Sequence, residues 1–156
     1  ELCPYIDAAH VDLKGFTDET YLKLNGGTLQ PVLNTLKIMK EEKVWFEIIN
    51  LIVPTYTDNL DTIKKMCNWL QENGFEDVPL HFSRFMPLHK LTHLTQTPVS
   101  TLENARKIAQ EAGLKYVYIG NVPGTEAEST YCPKCKKKIL SYGRSSFCLC
   151  AVIILL

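Results

Sequence analysis

The run VWFEIINLIV, from Val44 to Val53, constrains the fold more than any other stretch of the chain. β-branched and aromatic residues fill it almost without a break, as in a strand covered on both faces, and Pro54 ends it because proline has no N–H to give to a ladder. Only Glu47 and Asn50 intrude. A strand of this kind belongs to a parallel sheet backed by helices. Glu47, inside it, is expected to be an interior polar group with its hydrogen bonds satisfied, and the same holds for His81.

Three further segments share the layout of a strand with a polar exit. Tyr5 to Val11 is a short apolar run ending at Asp12, Lys14 and Gly15. In PLHFSRFMPLHKL, Pro79 to Leu91, the residues Leu80, Phe82 and Arg84 alternate with His81, Ser83 and Phe85, and Pro87 closes the ladder before His89 and Lys90. Lys115 to Gly120 is the fourth strand, with Asn121 to Gly124 as its exit. Helical patterns lie between them. Thr17 caps a short helix that Gly26 and Gly27 break, and Pro31 is expected to open the next, with Leu29, Val32, Leu33, Leu36 and Met39 on one face. Asp58 or Asn59 caps a third helix, whose inner face is Leu60, Ile63, Met66, Cys67 and Leu70 and which Gly74 closes. Thr97 as N-cap and Pro98 as first residue introduce the last, whose stripe is Val99, Leu102, Ala105, Ala109 and Ala112. Strands alternating with helices predict right-handed βαβ units and a parallel sheet, either open or part of a (β/α) barrel.

Composition narrows the function by exclusion. Seventeen basic residues balance seventeen acidic ones, so no global field points to nucleic acid or an anionic membrane. The six cysteines sit in a chain too large and too regular to need disulfide staples, which favours a reducing, cytoplasmic setting. The chain starts at Glu1 almost inside a strand, the pattern expected of a fragment. The closing run FCLCAVIILL, Phe147 to Leu156, has about half the ~20 apolar residues of a membrane span, so no transmembrane span is expected.

In parallel α/β folds the working residues gather at the carboxyl ends of the strands. Here those exits offer Asp12 and Lys14, Thr57 and Asp58, Arg84 and His89, and Asn121, a set able to hold a polar, charged ligand or to be no more than solvated loop residues. Cys132-Pro-Lys-Cys135 has the spacing of a knuckle in which two thiolates share a tetrahedral metal. Zinc needs four ligands, and the later cysteines, Cys148 and Cys150, are spaced C-x-C in the apolar tail; the alternative is a reduced pair without metal.

Four motifs together, VDLKGF at 11–16, LIVPTYTDN at 51–59, PLHFSRFMP at 79–87 and YVYIGNVPGTEAESTYCPKC at 116–135, resemble the radical SAM enzymes of the AmmeMemoRadiSam system, relatives of pyruvate formate-lyase activating enzyme. The resemblance covers about residues 1 to 142. It implies the second half of a partial (β/α)6 barrel, about four parallel strands with helices, followed by a half zinc-ribbon. The implied activity is reductive cleavage of S-adenosylmethionine at a [4Fe-4S] cluster to give a 5′-deoxyadenosyl radical. By motif match Asp12 and Lys14 would lie against the methionine carboxylate of that cosubstrate, and His89 would approach its nucleoside. Cys132 and Cys135 would be the ribbon's metal ligands, and the partners would be S-adenosylmethionine and a protein substrate. The chain departs from the family in lacking the CxxxCxxC loop that holds the cluster, since Cys3 and Cys67 stand alone, and in lacking the ribbon's second knuckle. The implied division is 1–126 for the barrel portion, 127–142 for the half-ribbon and 143–156 for a divergent apolar tail. On this reading the chain alone is inactive; the rival readings are a non-catalytic fragment and a module that binds a partner through the CPKC knuckle.

Overall fold

The computed structural model of the protein describes residues 2–140. After a single 3₁₀ turn at Cys3–Tyr5, the chain runs through β1 (Ala8–Asp12), α1 (Asp18–Asn25), α2 (Leu29–Glu41), β2 (Trp45–Ile52), α3 (Leu60–Glu72), β3 (Leu80–Arg84), α4 (Val99–Glu111) and β4 (Val117–Gly120). A small hairpin of β5 (Thr130–Tyr131) and β6 (Lys138–Leu140) follows. Strands β1 to β4 form one parallel sheet in the order of the sequence, with Ala8 opposite Trp45, Ile48 opposite Leu80, and Leu80 opposite Val117. This is the α/β architecture expected from the alternation.

Sequential parallel strands joined by right-handed crossovers place their helices on one face of the sheet. The core lies on that face. Phe46, Ile48 and Ile52 of β2, Leu80 and Phe82 of β3, and Val117 and Ile119 of β4 pack with Leu36 of α2, Met66 and Leu70 of α3, and Leu102 and Ala105 of α4. Period-2 alternation then assigns the opposite residues to the helix-free face: His10 and Asp12, Trp45, Glu47 and Ile49, His81 and Ser83, and Tyr118.

Helix ends follow local chemistry, with two corrections. Thr17 and Asn59 cap α1 and α3 by accepting from Thr20 N and Thr62 N, and Gly26 takes the left-handed conformation that closes α1. Pro31 is the third helical residue of α2 and not the first, because Thr28 supplies the N-cap. Its missing N–H still falls among those a first turn leaves without helical partners. Pro98, not Thr97, is the N-cap of α4. The Thr97 hydroxyl is used elsewhere: it donates to Ile52 O and accepts from Phe85 N, tying the ends of β2 and β3 together.

β1 is shorter than the sequence suggests, since Tyr5 lies in the 3₁₀ turn. Among the described residues no helix is long and apolar enough to cross a membrane. The expected tail, 143–156, with Cys148 and Cys150, lies outside the described residues.

Candidate functional site

The carboxyl edge of the sheet begins at Asp12, the last residue of β1. Leu13 then turns into the core, fully buried, with its N–H donated to Ile49 O and its carbonyl receiving Asn50 Nδ2 at 2.7 Å. This leaves Asp12 and Lys14 flanking a fixed point, and their side chains meet: Lys14 Nζ is 2.9 Å from Asp12 Oδ1. The Lys14 N–H donates to the hydroxyl of buried Tyr21 in α1, so the helix after the loop also sets the loop. Burial pushes the Tyr21 phenol up, which keeps it a neutral acceptor. At Gly15 a Cβ would come within 2.8 Å of the Thr20 methyl, so this turn needs glycine. Both members of the pair keep solvent access, 34% for Lys14 and 53% for Asp12.

The other exits are committed more to their own loops. Thr57 accepts from Val53 N at 2.7 Å and donates to Leu51 O at 2.9 Å, and it is buried. Arg84 Nε donates to Thr97 O at 2.8 Å, and Asn121 Nδ2 to Arg84 O at 3.2 Å. His89 is exposed at the start of a 3₁₀ turn, and among the described residues no hydrogen bond or ion pair joins it to Asp12 or Lys14. Three of the five described non-glycine residues with positive φ stand in these loops: Thr55 at 68°, His89 at 53° and Asn121 at 62°. Backbone held in this sparsely populated region recurs where a fold positions ligands.

Cysteine placement separates two kinds of metal chemistry. Cys67 is buried in the core, and desolvation pushes its thiol up to about 12, so it is inert. Cys3 stands half-buried. Among the described residues no group of three or more His, Cys, Asp or Glu is arranged to hold a metal, so these residues do not fit a [4Fe-4S] cluster. Cys132 and Cys135 do fit half of a thiolate site. The turn is closed by Cys132 N to Lys137 O and Lys136 N to Cys132 O, both 2.9 Å, with Lys136 at φ 58°. The backbone amides of Cys135 and then Lys134 pull the Cys132 thiol below its ordinary range. Glu126 ties the hairpin down by accepting from Tyr131 Oη at 2.8 Å and from Lys138.

The helix-free face carries a feature that the sequence reading treated as ordinary. Glu47 is 3% exposed, and its Oε2 lies 3.0 Å from His81 Nε2 and 3.4 Å from His10 Nε2. Close as these contacts are, Glu47 Oε2 and His81 Nε2 are both buried without a hydrogen-bond partner among the described residues. The expectation that Glu47 and His81 are satisfied interior groups is therefore corrected. His81 also stacks on Tyr118, with ring centroids 4.9 Å apart, and the Tyr118 hydroxyl pairs with Thr130 Oγ1 at 3.1 Å. One polar row thus crosses all four strands.

No protein-family model matches the chain. An uncharacterized protein of Methanocaldococcus jannaschii is 51% identical over 130 residues, which are 83% of this chain and 39% of that relative. The chain thus spans about 39% of the curated relative it matches. Among solved structures, a domain of pyruvate-formate lyase-activating enzyme from Bacteroides vulgatus superposes with a TM-score of 0.62 at 13% identity, covering 77% of this chain and 71% of that one. At that identity the likeness is one of fold: the chain has the α/β fold of an activating-enzyme domain.

Proposed function

We propose that the chain is the C-terminal portion of a radical S-adenosylmethionine enzyme of the AmmeMemoRadiSam branch, and that its part is to hold the cosubstrate. The observation that carries this reading is the Asp12–Lys14 pair at the carboxyl edge of a sequentially ordered parallel sheet. An ammonium and a carboxylate 2.9 Å apart, both solvent-accessible, match the two ends of an amino-acid zwitterion: Lys14 takes its carboxylate and Asp12 its ammonium. His89, on the exit of β3, would face the nucleoside. In a complete enzyme, cysteines outside the described residues would hold a [4Fe-4S] cluster, and that cluster would supply the electron for cosubstrate cleavage. This chain's own residues bind and orient. A division at 126 and 142, with a half zinc-ribbon between, belongs to the same proposal.

The test is calorimetry of S-adenosylmethionine on the full-length, cluster-loaded protein. Lys14→Ala removes the charge-assisted partner of a carboxylate in a partly desolvated site, at a cost of roughly 1.5 to 3 kcal/mol. That is about ten- to a hundredfold in affinity. Unchanged affinity with reduced stability would make Lys14 structural and sink the assignment. The chain alone, given iron, sulfide and reductant, is expected to release no 5′-deoxyadenosine, because its described cysteines do not group.

A second reading, a partner-binding module built on the CPKC knuckle, is favoured by one observation, the amide-stabilised thiol of Cys132 on an exposed hairpin. Zinc taken up by the chain alone and lost on Cys132→Ser would support it.

A further inference from the structure

A carboxylate as buried as Glu47 is costly to ionise without a cation. No Lys or Arg approaches it in an ion pair among the described residues; the groups within 3.4 Å are the imidazoles of His10 and His81. The cluster is closed on one side, since Glu47 Oε2 and His81 Nε2 are inaccessible and His81 is covered by the Tyr118 ring. It is open on the other, because the His10 side chain is 46% exposed on the helix-free face. Exposed Trp45 shares that face, two residues before Glu47.

We propose that His10, Glu47 and His81 form an acid–base centre on the helix-free face, with the His10 imidazole as its working end. The ligand it fits is a substrate group bearing an ionisable O–H or N–H. When neutral His10 takes that proton, the O–H or N–H electron pair stays on the substrate heteroatom, an N–H bond forms on the imidazole, and the Glu47 carboxylate balances the imidazolium. The reverse step returns the proton. His10 is the group that meets the substrate; Glu47 and His81 are positioning residues. The other charged or titratable groups around the row are Asp12 and Lys14 beyond His10 on β1, and Tyr118 on β4, whose phenol is pushed up by burial and then by the Glu47 charge and drawn down by Thr130 and Arg106. This centre lies two residues below the Asp12 exit and needs neither cosubstrate nor cluster, so it stands or falls separately from the proposed function.

The experiment is an NMR pH titration of the ring nuclei of the chain's four histidines, His10, His81, His89 and His93, in the chain as it is, combined with carbethoxylation by diethyl pyrocarbonate. Glu47→Gln keeps the side chain's shape. It is expected to displace the titration curves of His10 and His81 together. His89 and His93 should not move. His10 should be carbethoxylated while His81 is protected, and Glu47→Gln should alter the pH dependence of the His10 rate. A second, exposed substitution, His10→Gln, guards against misfolding and should displace the His81 curve with unchanged circular dichroism. If His10 titrates independently of Glu47, or if His81 reacts as fast as His10, the centre does not exist.

Discussion

Thr97 shows how one hydroxyl can do work that its sequence context hides. A threonine followed by proline before an amphipathic run reads as an N-cap, yet its hydroxyl bridges Ile52 O and Phe85 N across two strand ends. Ile52 is fully buried and Phe85 nearly so, so removing the hydroxyl strands two backbone groups away from water. Thr97→Val, which keeps the shape, is expected to destabilise by about 1 to 3 kcal/mol, while Thr97→Ser costs less than half of that. Urea unfolding of the two variants checks it; equal losses would mean that the methyl, not the hydroxyl, matters. Thr55 tests the opposite sign. A β-branched residue at φ 68° is strained, so Thr55→Gly should stabilise by roughly 1 kcal/mol in the same urea unfolding.

Elements were the most legible level of this chain, because the two periods, two for strands and three to four for helices, are written directly in residues such as Ile48, Ile52, Met66 and Leu70. Register was not legible. Sequence alternation puts His10, Glu47 and His81 on one face of three strands, but only the pairing of His10 with Glu47 and of Ile49 with His81 makes them neighbours. For the same reason the strand exits could be named from sequence while their division of labour could not. Asp12 and Lys14 pair with each other, whereas Thr57, Arg84 and Asn121 bond within the loops. The hairpin of β5 and β6 permits a sharper test at this scale. Because backbone amides hold the Cys132 thiol below its ordinary range and desolvation holds Cys67 far above its own, the thiolate of Cys132 is present at lower pH. Iodoacetamide at neutral pH should therefore modify Cys132 well before Cys67, with a rate that rises at lower pH than that of a free cysteine. Zinc should protect Cys132, and equal labelling of the two thiols in the native chain would refute the knuckle's electrostatics.

At the scale of the molecule the decisive fact is that, among the described residues, the sheet has two unpaired edges. Within the described residues β1 pairs only with β2 and β4 only with β3, and Ala8, His10 and Trp45 leave much of the helix-free face exposed. Unpaired N–H and C=O groups along an apolar parallel strand are a template for another chain. The matched 130 residues are 39% of the curated relative, which is therefore longer than the matched stretch. The isolated chain is accordingly expected to associate, with a sedimentation coefficient that rises with concentration and a broad melt. Ala8→Lys should suppress this by placing a charge on the edge strand, and a chain ending at 142 separates the sheet's contribution from that of the apolar tail. If the shortened chain still associates and Ala8→Lys prevents it, the β1 edge is the sticky surface. If the unmodified chain is a monodisperse monomer with a sharp two-state transition, the sheet is complete as it stands and the reading of this chain as one portion of a larger barrel fails.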